Sequence, residues 1–149
     1  MKVSNNKDDI IITSSLGSCL GVTLYDPASC VGGMLHALLP QSNMNPERAN
    51  GNPCMFVDSG FEALLAVILK MGANKKRLIC KVAGGGTFLD QKGVFKTGER
   101  NFTILRKVLW KNNILIKSQE VGGSIPRTLI LRLHDGQTSI RSRGVEVPF

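Results

Sequence analysis

No run of about 18 apolar residues occurs in the chain, so no transmembrane helix is expected. Met1 to Asp9 is polar and lacks the apolar stretch of a secretory leader, so the expected location is the cytosol. Aromatic residues are few, with one Trp, one Tyr and six Phe, which leaves little for a single-strand stacking platform. Four cysteines, at 19, 30, 54 and 80, form no C-x-x-C pair, and the only histidines are His36 and His134. No zinc site is therefore expected. In a reducing cytosol the four thiols should be free, which leaves room for a reactive one. Internal repeats, low-complexity tracts and linkers are also lacking, so residues 1–149 read as a single domain.

What is present fits a globular domain. A hydrophobic fraction of 42% with 20% charged residues separates the chain from disordered sequences. Its length is enough to bury a core without disulfides or metals. Sixteen glycines, several in doublets and one triplet, mark tight turns and close backbone approaches. The formal net charge of +8 favours an acidic partner, whether nucleic acid, anionic membrane or protein; a role in solubility alone is the plainer alternative.

Ile10, Ile11 and Ile12 form a β-branched run of the kind found in short buried strands. Ser14 to Ser18 reads as a turn. Leu20, Val22 and Leu24 alternate with Gly21, Thr23 and Tyr25, which is strand periodicity. Asp26-Pro27 starts a turn, and Val31 to Leu39 is the next strand, ended by Pro40. Residues 41–54 read as a polar surface loop. A well-buried helix follows, with Ser59 and Glu62 as a capping box and Gly72 as its stop. Lys75-Lys76-Arg77 is a basic turn, and Leu78 to Ala83 is a strand entering Gly84-Gly85-Gly86. A second helix spans Glu99 to Lys111, with Phe102, Leu105 and Leu109 on one face. Strands are expected at Ile114–Val121, Thr128–Leu133 and Gln137–Arg141, the last two joined by an Asp135-Gly136 hairpin turn. The fold class is α+β.

One pair of residues is a candidate for chemistry; the plainer alternative is that Cys19 is a small apolar strand residue and Thr13 an ordinary strand threonine. If residues 20–25 and 31–39 form a hairpin turning near Ala28, antiparallel pairing brings Cys19 opposite or next to His36. A one-residue slip separates them onto opposite faces. A thiol is a weak nucleophile until ionised, and a nearby imidazole lowers its pKa and returns the proton to a leaving amine. Thr13, at the end of the strand entering the same turn, is the candidate to orient the imidazole. The glycine-flanked turn, including the N–H of Cys19, is the candidate oxyanion site. Cys30, Cys54 and Cys80 have no histidine at a comparable offset and read as structural. His134, before the hairpin turn, reads as solvent-facing. The Gly84 triplet matches no phosphate-binding pattern and is either a tight turn or a wall of the substrate site. Gly122-Gly123 reads as a turn.

These segments, in this order, resemble the chemoreceptor glutamine deamidase family, CheD. Leu16-Gly17-Ser18-Cys19 continuing to Leu24-Tyr25-Asp26-Pro27 is similar to its nucleophile segment. Gly32-Gly33-Met34-Leu35-His36 with Leu38-Leu39-Pro40 is similar to its histidine segment. Gly84-Gly85-Gly86, Thr97-Gly98-Glu99-Arg100-Asn101 and Val121-Gly122-Gly123 with Arg127 resemble later blocks. The resemblance runs from about Ile11 to about Arg141. It implies an α+β sandwich with mixed and antiparallel sheets at the centre and helices outside. It also implies a catalytic set of Cys19, His36 and Thr13, and no cofactor or metal. The implied substrate is a glutamine side chain on the cytoplasmic helical bundle of a chemotaxis receptor. Methylesterase activity on the same sites and a partnership with a CheC-type phosphatase are further implications. Nucleic acid and membrane insertion are not expected. The chain departs from the family in a short polar segment before Ile10 and in Ser14-Ser15, where an apolar or glycine-containing turn is expected. The rival readings are a regulatory module for a CheC-type partner, a basic nucleic-acid-binding domain, and a deamidase acting on a different protein. The first is disfavoured by the presence of both Cys19 and His36, and the second by the lack of aromatics and of a known motif.

Overall fold

Alternation on either side of the Asp26-Pro27 turn sets the frame. In the computed structural model, which describes residues 1–87 and 95–149, Leu20–Asp26 and Val31–Ala37 pair as an antiparallel hairpin with Gly21 opposite His36. Numbered in chain order these are β3 and β4. They form the centre of a five-stranded sheet with β1 (Lys2–Ser4), β5 (Ile79–Gly84) and β6 (Ile116–Val121), in the order β1-β4-β3-β5-β6. Only the β5–β6 pair is parallel. A second, antiparallel sheet has the order β2-β7-β8-β9, from Ile10–Leu16, Arg127–Arg132, Thr138–Ser142 and Val145–Pro148.

Each face of the first sheet buries a different layer. Leu20, Val22 and Leu24 of β3 and Leu35 of β4 point to one side. There they meet Phe61, Leu64 and Ile68 of helix α2 (Val57–Lys70) and Leu105 and Leu109 of α3 (Thr97–Lys111). Each such fully buried side chain contributes about 1.5–3 kcal/mol. Tyr25, Met34 and Ala83 point the other way, toward Ile11, Leu16, Leu129, Leu131 and Ile140 of the second sheet. The result is an α+β sandwich of helices, mixed sheet and antiparallel sheet.

Several expectations shift. Ile10 and Ile12 are 55% and 54% exposed, because the outer face of β2 carries no covering layer; only Ile11 of the run is buried. Strand β2 continues through Ser14 and Ser15 to Leu16, where a turn was expected. It does so by a bulge between Thr13 and Leu16, with Ser15 at φ 59°. The bulge returns Leu16 to the inter-sheet core at full burial. The expected loop at 41–54 contains a short helix α1 (Pro46–Gly51), begun by Asn45 accepting from the N–H of Arg48. Helix α2 starts two residues before the proposed Ser59 cap, and Ser59 Oγ donates instead to the carbonyl of Pro53. Its C-terminal stop is as expected, with Gly72 at φ 101°. The Asp135-Gly136 turn joins β7 to β8, with Gly136 at φ 72°, and His134 is exposed there. Strands β1 and β9 were not expected. No helix among the described residues is long and apolar enough to cross a membrane.

Candidate active site

The register fixes where the chemistry-bearing residues lie. Gly21 is the partner of His36, so Cys19 lies two residues beyond the point opposite it. Alternation then places both side chains on the inter-sheet side of the first sheet, as diagonal and not direct neighbours. Cys19 packs against the inter-sheet cluster, in agreement with that placement. A Cβ at Gly21 would lie 2.7 Å from Leu16 Cδ1, so glycine keeps Leu16 seated in the inter-sheet core next to the site.

His36 reaches from the first sheet to the second. Its Nδ1 lies 2.7 Å from Thr13 Oγ1, immediately before the bulge in β2. The half-buried imidazole has its pKa pushed below the ordinary value by burial. Burial pushes the Cys19 thiol upward, only partly opposed by its own backbone N–H. Both shifts favour the neutral forms, thiol and imidazole, in the resting site. Desolvation is the largest cause of the thiol shift, and the imidazole is not among its causes.

The nucleophile segment is held at three successive carbonyls. Gly17 O accepts from the N–H of Gly86 at 2.7 Å, and Cys19 O accepts from the N–H of Gly85 at 2.8 Å. Between them, Ser18 O accepts from Asn101 Nδ2 at 3.0 Å. The same Nδ2 donates to Leu38 O at 3.0 Å, two residues past His36. The glycine triplet is therefore a cradle for the backbone of the Cys19 segment. A Cβ at Gly84 would sit 2.2 Å from Cys19 O, and Gly84 also has φ 108°. Gly98 is needed just as closely, since its Cβ would lie 2.3 Å from Gly85 O. Gly122 and Gly123 back the cradle: Gly122 N–H donates to Gly84 O and Gly123 O accepts from the N–H of Thr87. Arg127, nearly fully buried, pairs with Glu120 at 2.7 Å.

Asn101 was not singled out as a site residue. Its only sequence signal is its place at the end of Thr97-Gly98-Glu99-Arg100-Asn101, a polar residue one turn into a helix whose Leu105 and Leu109 face the core. It is fully buried, and its Oδ1 has no partner among the described residues. The other cysteines are elsewhere. Cys80 faces the helices with its pKa pushed up to about 12 by burial. Cys30 donates to Pro27 O in the β3–β4 turn, and Cys54 lies in the 3-10 turn Pro53–Met55.

The fold and this site define a two-sheet α+β protein whose candidate thiol and imidazole share the inter-sheet face at one end of the central hairpin. The family model described as CheD chemotactic sensory transduction matches residues 38–142. The match begins just after His36, but similarity to individual relatives extends over nearly the whole chain. A probable chemoreceptor glutamine deamidase CheD 1 from Syntrophus aciditrophicus is 42% identical, over 96% of this chain and 89% of that protein. A probable chemoreceptor glutamine deamidase CheD from Solibacter usitatus is 41% identical, over 96% and 85%. Another from Pyrococcus horikoshii is 41% identical, over 89% and 82%. The chain belongs to the CheD family.

Proposed function

We propose that this protein is a cysteine-dependent glutamine deamidase acting on the cytoplasmic helical bundle of a chemotaxis receptor. The observation that carries the reading is the 2.7 Å contact of Thr13 Oγ1 with His36 Nδ1, on the inter-sheet face that also holds Cys19. With Nδ1–H donating to Thr13, the imidazole presents an unprotonated Nε2 to the thiol. Cys19 Sγ attacks the carboxamide carbon as its proton passes to Nε2. The oxyanion is received by the backbone of the cradled segment, including the N–H of Cys19. Collapse breaks the C–N bond, Nε2–H protonates the departing nitrogen, and ammonia leaves a thioester. Nε2 then takes a proton from water as its oxygen attacks the thioester. Glutamate departs and the thiol is restored. None of these steps calls for a metal or cofactor. A receptor methyl ester at the same position would form the same thioester with methanol as leaving group, so methylesterase activity is part of the proposal. A cytoplasmic location follows from the substrate.

The test is ammonia release and a mass gain of about 1 Da on a receptor cytoplasmic fragment, an amide becoming an acid. Activity in the wild type that Cys19→Ala and His36→Ala both abolish supports the proposal. Folded protein inactive on several receptor fragments overturns it and leaves the adaptor for a CheC-type phosphatase as the better reading.

A further inference from the structure

Helix α3 buries Asn101 at the site and turns its opposite face to solvent. Glu99, Arg100, Thr103, Arg106, Lys107, Trp110 and Lys111 are all exposed, at the spacing of one helical stripe. The stripe runs about 16 Å from Arg100 to Lys111. Two depressions lie along it. One, of about 420 Å³, is bounded by Pro40 and Gln41 on the segment that follows His36 and by Glu99, Arg100 and Thr103. The other, of about 530 Å³, lies between Thr103, Trp110 and the Ile114–Ile116 segment leading into β6. Both are lined by Thr103, so they adjoin along the helix, the first beside the segment that follows His36.

The far end is apolar and unusually open. Trp110 is 84% and Leu115 87% exposed. A bare Trp beside a bare Leu marks a contact surface better than scattered apolar residues do. Around them the charge is of one sign. Arg100, Arg106, Lys107 and Lys111 on the stripe face a single acidic residue, Glu99, and Lys117 lies next to Leu115. None of these cations is in an ion pair among the described residues.

We propose that this face of α3 is the docking track for an acidic helical partner, the substrate's own helical bundle, laid along α3 so that a glutamine reaches Cys19. The inference rests on the deamidase reading for the identity of its occupant. A helix suits the track because it is straight and because α3 has its backbone groups paired internally, which leaves side-chain packing as the mode of contact. A second copy of this chain is disfavoured, since the basic stripe would face itself.

Binding of a chemoreceptor cytoplasmic fragment to the Cys19→Ala protein, which cannot turn it over, tests the track. Trp110→Ala with Leu115→Ala should weaken binding at least tenfold. Lys107→Glu with Lys111→Glu should do the same and flatten its salt dependence. Iodoacetamide labelling of Cys19, in proteins that retain it, should be unchanged by both pairs and so certify an intact site. Affinity unchanged in both pairs, or no binding of the fragment by the parent, overturns the track. So does a dimer in sedimentation that dissociates on Trp110→Ala, which would make the occupant a second copy. A fragment bound through α3 but never deamidated leaves the track standing and removes the enzyme. A fragment deamidated with a KM indifferent to both pairs does the reverse.

Discussion

Asn101 holds the carbonyl of Ser18, the residue before Cys19, at 3.0 Å and from the same nitrogen holds that of Leu38, two residues after His36. One fully buried amide therefore sets the distance between the nucleophile segment and the histidine strand. Asn101→Ala leaves two carbonyls without this donor, at about 1–3 kcal/mol each. Misplacement of reacting groups by about 1 Å lowers turnover by roughly a hundredfold. The expected outcome is a folded protein with a lower melting temperature, and turnover reduced far more than substrate affinity. Steady-state kinetics beside a thermal melt check it; equal loss in kcat and in folded fraction would reduce Asn101 to a packing residue.

Thr13 touches His36 through its hydroxyl, and the role proposed for it is positioning. Thr13→Val keeps the shape and removes the acceptor for Nδ1–H, which costs about 1–3 kcal/mol, or roughly tenfold to a hundredfold in rate. Thr13→Ser restores the hydroxyl and should recover most of kcat. Failure of serine to rescue would show that Thr13 matters through its methyl group.

The pH dependence follows from two shifts of opposite direction. Burial raises the Cys19 pKa, so alkylation by iodoacetamide should keep rising through and beyond the ordinary thiol range of about 8.5. A plateau already reached at neutral pH would indicate a preformed ion pair and contradict the neutral resting site. Burial lowers the His36 pKa, so the unfolded chain takes up that proton first. His36 accordingly lowers stability as pH falls from about 6.5 toward the folded value. The base form persists at neutral pH, and activity should decline on the acid side only below the ordinary histidine range.

The central hairpin was legible from alternation and the Asp26-Pro27 turn, but its register was not, because the sequence leaves the turn length open and a one-residue slip would part Cys19 from His36. Sharing of a face by Cys19 and His36 follows once Gly21 is seen opposite His36. Helix α2 was legible from its nearly unbroken apolar run and α3 from its apolar face, whereas α1, short and polar, was not. What was not legible depends on distant partners. Lys2–Ser4 has no strand pattern of its own and is a strand because the edge of β4 accepts it. Ile10 and Ile12 read as buried, yet nothing covers that side of β2. Ser14-Ser15 reads as a turn, since a bulge is visible only once Leu16 is seen to need the inter-sheet core. Asn101 looks like any polar residue in a helix until the Ser18 and Leu38 carbonyls are placed beside it. The glycine triplet signalled close approach without saying what approached.

That approach gives a paired prediction. Gly84→Ala places a Cβ 2.2 Å from Cys19 O at a φ of 108°, a conformation that L side chains rarely adopt. Cys19 labelling and turnover should both collapse. Gly17, two residues before Cys19, has open space where its Cβ would go, so Gly17→Ala should retain labelling. Equal behaviour of the two variants would mean that the cradle does not position the thiol.

Asp26 closes the other end of the same hairpin and ties it to the turn before β5. Its carboxylate is fully buried and accepts from Arg77 Nε at 2.9 Å and Nη2 at 2.7 Å, and from the N–H groups of Ala28 and Asn74. The Arg77 guanidinium is the largest cause holding this carboxyl well below the usual carboxylate range. Because the folded value lies below the unfolded one, the stabilisation is complete above about pH 4 and is lost as pH falls toward the folded value. Arg77→Ala removes a counter-charge that is itself 44% exposed but leaves the carboxylate buried, so the variant should be destabilised. Acid unfolding of the variant should begin at higher pH than in the wild type. Asp26→Asn with Arg77 intact should also destabilise the protein, but with a flatter dependence on acid. Urea melts at pH 7 and at about pH 2.5, below the unfolded carboxyl value, separate the two, and a wild-type acid limb unchanged in Arg77→Ala would exclude this pair as the source of acid sensitivity.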